Sequence, residues 1–176
     1  MSTEAAVESR PTSTPPALEN DTAADLLQLV TFVVGGEEYA VPILSVHEIN
    51  RMLEFTRVPQ APEFVEGVIN LRGRIIPVVD LRLRFGLPEQ EKTSDNRIVV
   101  VEVSGRVIGF TVDRVNEVLR ISPEIVDAAP TLARTGEAEY VSGVGKLEDR
   151  LLIMLDLDLL FGQDELDALD ETTQAL

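Results

Sequence analysis

The chain has 176 residues and no cysteine, and its 31 acidic residues outnumber 15 basic ones to give a formal net charge of −16. The missing cysteines exclude disulfides, thiolate nucleophiles and cysteine zinc sites. The negative charge disfavours a nucleic-acid partner, because phosphate contacts need a basic face. No apolar run is long enough to span a membrane and the start of the chain lacks a secretory signal, so we expect a cytoplasmic protein without membrane insertion.

Much of the acidity lies at the two ends of the chain. Residues 1–26 are rich in Pro, Ser, Thr and Ala and carry five acidic residues, so they are expected to be a disordered acidic tail. Residues 163–176 carry five more and no basic residue. They are expected to form either a solvated acidic tail or a short helix with Leu166 and Leu169 on one side. The folded part is then residues 27–162.

The folded part opens with strand patterns. Two apolar runs flank Gly35-Gly36, which predicts a hairpin turn. Ile43 and Val46 follow, three positions apart, and share one face if their segment is helical. A third strand is expected over residues 53–58.

A second hairpin comes next, with Arg72 and Gly73 at its tip. The strand after the tip, IIPVV, is apolar throughout, as expected for a strand that is buried on both faces. A one-turn helix is predicted to close the unit, with Asp80 as its N-cap and Gly86 just past its end.

An internal repeat decides the architecture. Residues 64–86 and 140–162 are identical at ten of 23 positions without a gap, at an offset of 76 residues. Residues 31–49 and 100–118 match more weakly, at an offset of 69 residues. The chain is therefore a duplicated unit.

The two units are roughly residues 27–95 and 96–162, and the extra residues of the second are expected in a loop over 128–139. Its second hairpin is expected to turn at Glu148-Asp149, with Asp156 as the N-cap of a second one-turn helix. About five strands in so short a unit suit a small, strongly bent sheet or barrel. One unit alone buries little apolar surface, so the two are expected to pack on a shared core in an all-β fold with short helices.

Few side chains suit catalysis. His47 is the only histidine, and a surface or half-buried position is expected for it. Asp80, Asp156 and Asp158 offer carboxylates, so an enzyme that uses them as acid, base or metal ligand stays open as an alternative. The repeat places Asp80 and Asp156 at equivalent helix caps, far apart, which counts against that enzyme.

Basic residues gather in one stretch. Arg72, Arg74, Arg82 and Arg84 lie within residues 68–86, which contain a single acidic residue. Such a stretch is either a solvated face or a docking spot for an acidic partner surface. Arginine suits docking because its guanidinium group binds a carboxylate through two hydrogen bonds.

The sequence resembles the CheW-type coupling proteins of bacterial chemotaxis. The resemblance spans about residues 28–162 and rests on four segments: EEYAVPILSVHEI, RVPQAPEFVEGVINLRGRIIPVVDLRLRFG, VVVEVSGRVIGFTVDRVNEVLRIS and YVSGVGKLEDRLLIMLDLDLLFG. The NLRG turn, followed by an apolar strand and DLR, is a specific part of it. For the fold, the resemblance implies two SH3-like five-stranded β-barrels packed together, residues 27–95 and 96–162.

The resemblance also implies a function. Proteins of this family are adaptors without catalytic activity or cofactor, and no metal site is expected. They bridge methyl-accepting chemoreceptors and the regulatory domain of the histidine kinase CheA, so that receptor state controls autophosphorylation in membrane-associated receptor clusters. The receptor's helical tip binds in a groove between the barrels, and the kinase domain, which has the same fold, binds barrel to barrel. By position, the groove residues are Ile43, Val46, Glu48, Gly67, Asn70, Leu71 and Arg72.

Several alternatives stay open. The same coupling role fits a pilus, gliding or surface-sensing pathway, and a protein that polymerises through its own barrels without a kinase is also possible. Ile43 and Val46 are either interfacial or ordinary core residues. Contact with a partner is favoured for Arg72, because packing does not need a hairpin-tip arginine. Its repeat counterpart, Glu148, has the opposite charge, so only one of the two turns is expected to dock the receptor.

Overall fold

The computed structural model of the protein describes residues 25–128 and 140–174. The acidic tail predicted over residues 1–26 lies outside this part of the chain, except for its last two residues. The loop predicted over residues 128–139 also lies outside it, except for its first residue.

Strands make up most of the described chain. In chain order they are β1 Leu27–Val34, β2 Glu37–Pro42, β3 Val46–Arg51, β4 Val65–Leu71, β5 Arg74–Asp80, β6 Arg97–Val103, β7 Arg106–Val112, β8 Arg114–Ile121, β9 Val126–Ala128, β10 Val141–Lys146 and β11 Leu151–Leu155. The helices are α1 Leu81–Arg84, α2 Leu157–Leu160 and α3 Gln163–Gln174, with 3₁₀ turns at Ile43–Ser45 and Pro123–Ile125.

The strands form two sheets, and each sheet takes strands from both repeat units. One has the order β8-β1-β2-β11-β10-β9, and the other the order β3-β6-β7-β5-β4. The parallel pairs, β2 with β11 and β5 with β7, join a strand of one unit to a strand of the other. The predicted all-β class with short helices is confirmed. The boundary between residues 95 and 96 separates sequence repeats rather than sheets, because the first two strands of each unit pair with strands of the other.

Apolar side chains pack in three clusters. The largest lies between the sheets, where Phe110 contacts Phe32 and Phe161 at ring-centroid distances of 5.4 and 6.4 Å. Each sheet also has a cluster of its own on its other face. These smaller clusters are built from Ile69, Ile76, Val78, Ile98 and Val100 in one sheet, and from Leu29, Ala40, Ile121 and Leu152 in the other. Both faces of each sheet are therefore buried.

The five-stranded sheet curls so that its two edges come close at one end. Strands β3 and β4 lie at opposite edges of the strand order, yet Arg72, in the β4–β5 turn, reaches Glu48 on β3 at 3.2 Å. A sheet that closes around its own apolar cluster resembles a small barrel. The SH3-like form of the two barrels stays a prediction.

Residues 43–58, which follow β2, form neither a helix around Ile43 and Val46 nor a strand over residues 53–58. Ile43–Ser45 form one 3₁₀ turn and β3 begins at Val46, so Ile43 and Val46 do not share a helix face. The β-branched residues here favour an extended chain, which gains a hydrogen-bonded ladder with β6. The prediction of a strand over residues 53–58 is wrong. The third strand lies earlier in the chain, at Val46–Arg51, and within residues 53–58 only Thr56 makes a bridge, to Val68.

Both one-turn helices begin at an aspartate. The carboxylates of Asp80 and Asp156 each accept hydrogen bonds from the backbone N–H groups two and three residues ahead, at 2.9 and 3.3 Å in both helices. The two predicted N-caps are confirmed. Gly86 follows α1 with φ of +78°, as predicted. Gly162 has a different role, because α3 begins directly behind it and its carbonyl accepts the N–H of Leu166 at 3.0 Å.

Asp80→Ala is expected to lower the free energy of unfolding by about 1–2 kcal/mol, the range for a lost N-cap. Asp80 is buried, so water cannot take the place of its carboxylate, whereas Asp156 is half-buried. Asp156→Ala should therefore cost less. Urea unfolding of both variants measures the difference, with the two Asn variants as controls that keep a capping oxygen. Equal losses for the two alanine variants would contradict this account.

Helix α3 is fixed to the rest of the molecule along one side. Leu166 and Leu169 are buried in the largest apolar cluster. Arg106, at the start of β7, pairs with Asp167 at 2.9 Å and with Asp170 at 2.7 Å. The acidic C-terminal segment is thus a packed element over the residues described. No helix in the described part of the chain is long and apolar enough to cross a membrane.

Arg84 fastens α1 to the C-terminal elements. Its guanidinium carbon lies 4.7 Å from the centre of the Tyr140 ring and 5.5 Å from that of Phe64. The guanidinium group donates to the carbonyl of Leu160 at 3.0 Å and pairs with Glu165 at 2.5 Å. The Arg84 and Glu165 side chains are 15% and 30% exposed, so the pair is largely buried. Burial raises the pKa of Glu165, and the charge and hydrogen bond of Arg84 oppose that rise.

Candidate functional site

The three polar side chains of the site predicted from the sequence gather at one end of the five-stranded sheet. Glu48 lies on β3, Asn70 and Leu71 end β4, and Arg72 opens the β4–β5 turn. The Arg72 guanidinium group donates to the Glu48 carboxylate at 3.2 Å. The Asn70 side-chain oxygen accepts the N–H of Gly73 at 2.9 Å, which fixes the turn. The result is an ion pair between the hairpin tip and β3.

The apolar residues of the predicted site are only partly accessible. Ile43 and Val46 are half-buried and pack against the cluster between the sheets. Leu71 is half-buried too, but it packs against the separate cluster of the five-stranded sheet. Each of the three can offer an edge of its side chain to a partner while the rest stays in the core.

The Arg72-Gly73 turn holds both residues in the left-handed region, with φ of +56° and +84°. A two-residue type I′ hairpin turn requires these values, and Gly, Asn and Asp adopt them most easily. An arginine in this conformation costs on the order of 1 kcal/mol. The Arg72 side chain is 80% exposed, so packing does not offset that cost. A strained and exposed arginine at this tip points to a role in contact with a partner.

The second repeat contains a similar ion pair, made by an arginine that is not the counterpart of Arg72. The alignment matches Arg72 with Glu148, whereas the matching contact is made by Arg150. Arg150 bonds to Glu117 at 2.9 Å, and Glu117 is the repeat counterpart of Glu48. The two turns are equally long, because Leu147 donates to the carbonyl of Arg150 across the second turn as Leu71 pairs with Arg74 across the first. Arg150 is therefore the counterpart of Arg74, and it reaches Glu117 from the strand side of the turn.

Arg150 is more enclosed by carboxylates than Arg72. Besides Glu117, it contacts Glu38 at 2.5 Å and Asp149 at 3.1 Å. Its side chain is 33% exposed. Among the residues described, Arg72 has a single carboxylate partner, so its remaining N–H groups are available to a partner protein.

The fold itself requires glycine at position 67, apart from any contact with a partner. Its φ is +152°, and a Cβ atom built there would lie 2.6 Å from the carbonyl oxygen of Thr56. That oxygen accepts the N–H of Val68 at 2.9 Å, so the segment before β4 lies directly on the strand. Gly143, the repeat counterpart, makes the same close approach to the carbonyl oxygen of Asp127, at 2.8 Å. Close backbone approach therefore requires glycine at both positions.

Gly67→Ala is expected to lower the free energy of unfolding by about 2 kcal/mol, because the new Cβ atom displaces the Thr56 carbonyl. Gly73→Ala is a matched control, since Gly73 also has a positive φ but open space around its Cβ position. The control should lose only about 1 kcal/mol, the cost of the backbone conformation. Thermal unfolding distinguishes the two variants, and equal losses would show that the contact with Thr56 is unimportant.

The groups considered for catalysis have ordinary partners. Asp80 and Asp156 cap two different helices. His47 is exposed, and its Nε2 atom lies 3.4 Å from the Glu102 carboxylate. In the part of the chain that the structure describes, no group of three or more His, Asp or Glu residues is arranged to hold a metal ion.

A family model described as a CheW-like domain matches residues 28–165, which include both repeat units and the start of α3. The chain belongs to the CheW-like family. The family predicted from the sequence is confirmed, and with it the function of a chemotaxis coupling adaptor.

Individual relatives agree with the family. The chemotaxis protein CheW of Helicobacter pylori is 40% identical over 141 residues, which cover 80% of this chain and 84% of that protein. The chemotaxis protein CheW of Treponema pallidum is 37% identical over 146 residues, with 81% and 86% of the two chains covered. The crystal structure of the scaffolding protein TtCheW from Thermoanaerobacter tengcongensis superimposes with a TM-score of 0.73 at 38% identity, covering 80% of this chain and 95% of that one.

Proposed function

We propose that the protein bridges the cytoplasmic tips of methyl-accepting chemoreceptors and the regulatory domain of the histidine kinase CheA. It works in the cytoplasm, recruited to membrane-associated receptor clusters, and makes kinase autophosphorylation depend on receptor state. It has no catalytic activity of its own and needs no cofactor. The observation that carries the receptor side of the proposal is Arg72, which is strained in its backbone and 80% exposed in its side chain.

The chemistry around Arg72 suits a helical partner. A carboxylate on the receptor helix can accept two hydrogen bonds from the guanidinium group, which gives both attraction and a fixed orientation. Glu48 holds the guanidinium group in place from the other side. The exposed edges of Ile43 and Val46, which precede Glu48 in the chain, can take up apolar side chains from the same helix.

The kinase side of the bridge uses a different surface. The kinase regulatory domain is expected to bind barrel to barrel, away from the Arg72 turn, so that the receptor and the kinase bind at the same time. The two sheets share one apolar core, which keeps the two binding surfaces at a fixed distance and angle. A rigid two-sided body can transmit receptor state without any chemical step.

Calorimetric titration of the protein with the regulatory domain of a CheA-type kinase from the same cell tests this proposal. We expect saturable micromolar binding, about −8 kcal/mol. A receptor cytoplasmic fragment should still bind when the kinase domain is saturating, because the two surfaces are separate. Lack of kinase binding would contradict the proposal. Self-association of the isolated protein in sedimentation, without kinase binding, would favour a polymerising assembly protein instead.

A further inference from the structure

The internal repeat places two equivalent grooves on the molecule. The first groove, of about 440 Å³, lies between α1 and the β7–β8 junction and is lined by Asp80 and Arg82 among others. The second groove, of about 460 Å³, lies between α2 and the turn after β2 and is lined by Asp156 and Asp158 among others. Asp80 and Asp156 are repeat counterparts, and so are Arg82 and Asp158. The two grooves therefore occupy the same place in the two units.

The chain itself forms one wall of the first groove. Residues 87–96, here called the connector, run along it from α1 to β6. The Lys92 ammonium group of the connector pairs with Glu66 and lies 3.6 Å from the Asp80 carboxylate. Burial lowers the pKa of Lys92, but the bond to Glu66 and the charge of Asp80 outweigh it, so the net shift is upward. A charged lysine thus anchors one end of the connector.

An apolar residue anchors the other end of the connector. Leu87 lies so close to the β1–β2 turn that a Cβ atom on Gly35 would be 2.5 Å from the Leu87 Cδ1 atom. Next to this contact, the Asp113 carboxylate accepts the N–H of Gly35 at 2.9 Å and a hydrogen bond from Arg82 at 2.7 Å. The Arg82–Asp113 ion pair therefore closes the first groove beside the apolar anchor.

The second groove lacks this closure. Asp158 stands in the place of Arg82, and Leu44 stands in the place of Asp113, so the closing ion pair cannot form. Leu44 is 95% exposed and stands at the rim of the groove, between the lining residues Pro42 and Ser45. The Asp158 carboxylate has the Ser104 hydroxyl 3.5 Å away as a weak partner. An uncovered leucine thus stands at the rim of a groove that contains an exposed carboxylate.

The segment that would correspond to the connector runs elsewhere. Gln163 stands in the place of Leu87, and it begins α3 instead of an extended strand. Leu166 and Leu169 bury α3 in the core between the sheets, and Arg106 bonds to its acidic side. None of the groove's lining residues belongs to α3, so within the described chain the second groove has no connector of its own.

We infer that the second groove binds an extended segment of a partner protein that carries an apolar side chain and, about five residues later, a lysine or arginine. This is the spacing of Leu87 and Lys92 in the connector. The apolar side chain packs near Ser104, the counterpart of the Gly35 that Leu87 contacts, and covers Leu44 at the rim. The basic side chain lies near Asp156, as Lys92 lies near Asp80.

The charge of the second groove agrees with such a segment. The charged residues that line it are all acidic, namely Glu102, Asp156 and Asp158. An apolar anchor combined with a complementary charge is a common way to recognise an extended segment. The inference depends on the internal repeat and not on the proposed receptor contact at Arg72, so either one can fail without the other.

Titration of the isotope-labelled full-length protein with a synthetic peptide, followed by NMR, tests this inference. The probe is GLPQQQKTSN, which keeps the leucine and lysine of the connector but replaces its acidic residues by amides, because the protein carries a net charge of −16. We expect saturable shifts at the amides of Leu44, Ser104 and Asp158. A peptide with glutamate in place of the lysine should bind about tenfold more weakly or not at all.

Variants of the protein provide the matched comparison. Leu44→Asp and Asp158→Arg should each weaken binding of the probe by about tenfold or more. Leu151→Asp is the control for Leu44→Asp, because Leu151 is also an exposed leucine, 62% accessible, but lies outside the groove. The control should bind the probe as the original protein does. All three substituted side chains are exposed, so the NMR spectrum of each variant should remain that of the folded protein.

Three results would overturn the inference. The first is no saturable shift, or equal binding of the lysine and glutamate peptides. The second is shifts around Gly35 and Asp113, which would mean that the peptide displaces the connector from the first groove. The third is a groove already occupied without peptide, by a second copy, seen as shifts that depend on protein concentration, or by residues 1–24 or 129–139, seen as contacts to Leu44.

Discussion

Arg84→Met is expected to lower the free energy of unfolding by about 3 kcal/mol, the lower end of the range for breaking a buried ion pair. The variant removes the cation that pairs with the Glu165 carboxylate. The Glu165 side chain is only 30% exposed, so water replaces that partner poorly. The variant also removes the cation from the rings of Tyr140 and Phe64. Helix α3 should loosen first, because Glu165 belongs to it.

The loss in Arg84→Met should depend on pH. Burial already raises the pKa of Glu165, and removal of the opposing Arg84 charge raises it further. A carboxyl group whose pKa is raised in the folded state binds a proton that the unfolded chain does not bind, so acidification stabilises the folded form relative to the unfolded one. The loss in the variant should therefore shrink between about pH 7 and about pH 5.

Urea unfolding of the variant at several pH values measures both effects. Arg120→Met is the control, since Arg120 is exposed on β8, and it should change stability by less than about 0.5 kcal/mol. The double variant Arg84→Met/Glu165→Leu should recover most of the loss, because it leaves no buried charge. In the original pair, Nε of Arg84 and Oε2 of Glu165 already lack a hydrogen-bond partner among the residues described. A double variant as unstable as the single one would contradict this reasoning.

Arg72→Glu is expected to weaken binding of a receptor cytoplasmic fragment by about a hundredfold while the fold survives. The side chain is 80% exposed and its only described partner is Glu48, so the exposed ion pair contributes little to stability. The substitution reverses the charge that a receptor carboxylate would meet, and the new carboxylate also repels Glu48.

Calorimetric binding of the receptor fragment, together with thermal unfolding, measures the outcome for Arg72→Glu. Arg120→Glu is the matched control, because it makes the same change of charge at an exposed position on the other sheet. The control should keep receptor binding, and both variants should keep binding of the kinase regulatory domain. Normal receptor binding by Arg72→Glu would remove Arg72 from the site.

Local features of the fold could be predicted from the sequence where a few neighbouring residues decide them. The turn at Arg72-Gly73 and the caps at Asp80 and Asp156 are confirmed, because hairpin turns and N-caps depend on residues within one turn of the chain. Gly162 differs, because the chain behind it continues as a helix that is held by distant contacts through Arg84 and Arg106.

Longer-range features could not be predicted from local patterns. The spacing of Ile43 and Val46 allows a helix, but pairing of β3 with β6, about fifty residues away in sequence, decides for a strand. The repeat predicted two similar units, yet it carried no signal that β1 and β2 pair with strands of the other unit. Pairing between strands of different repeat units depends on the apolar faces of all the strands together, not on any one segment.

In the candidate site, too, local features could be predicted from the sequence and longer-range contacts could not. Arg72 could be singled out from a basic stretch at a hairpin tip, and its strained and exposed geometry explains why it suits a contact. The match of its ion pair with Arg150 and Glu117 could not be predicted, because Arg150 aligns with Arg74 and only the fold shows that its side chain reaches Glu117. The exposure of Leu44 was also missed, since only the fold shows that Arg82 and Asp113, whose counterparts are Asp158 and Leu44, form an ion pair.

The most direct test of the coupling role is the autophosphorylation rate of a CheA-type kinase in a mixture with receptor-containing membranes, measured with and without this protein. The rate should respond to receptor ligand only when the protein is present. Substituting the Arg72→Glu variant should abolish the response, although the variant still binds the kinase. A kinase that responds to ligand equally well without the protein would contradict the coupling role.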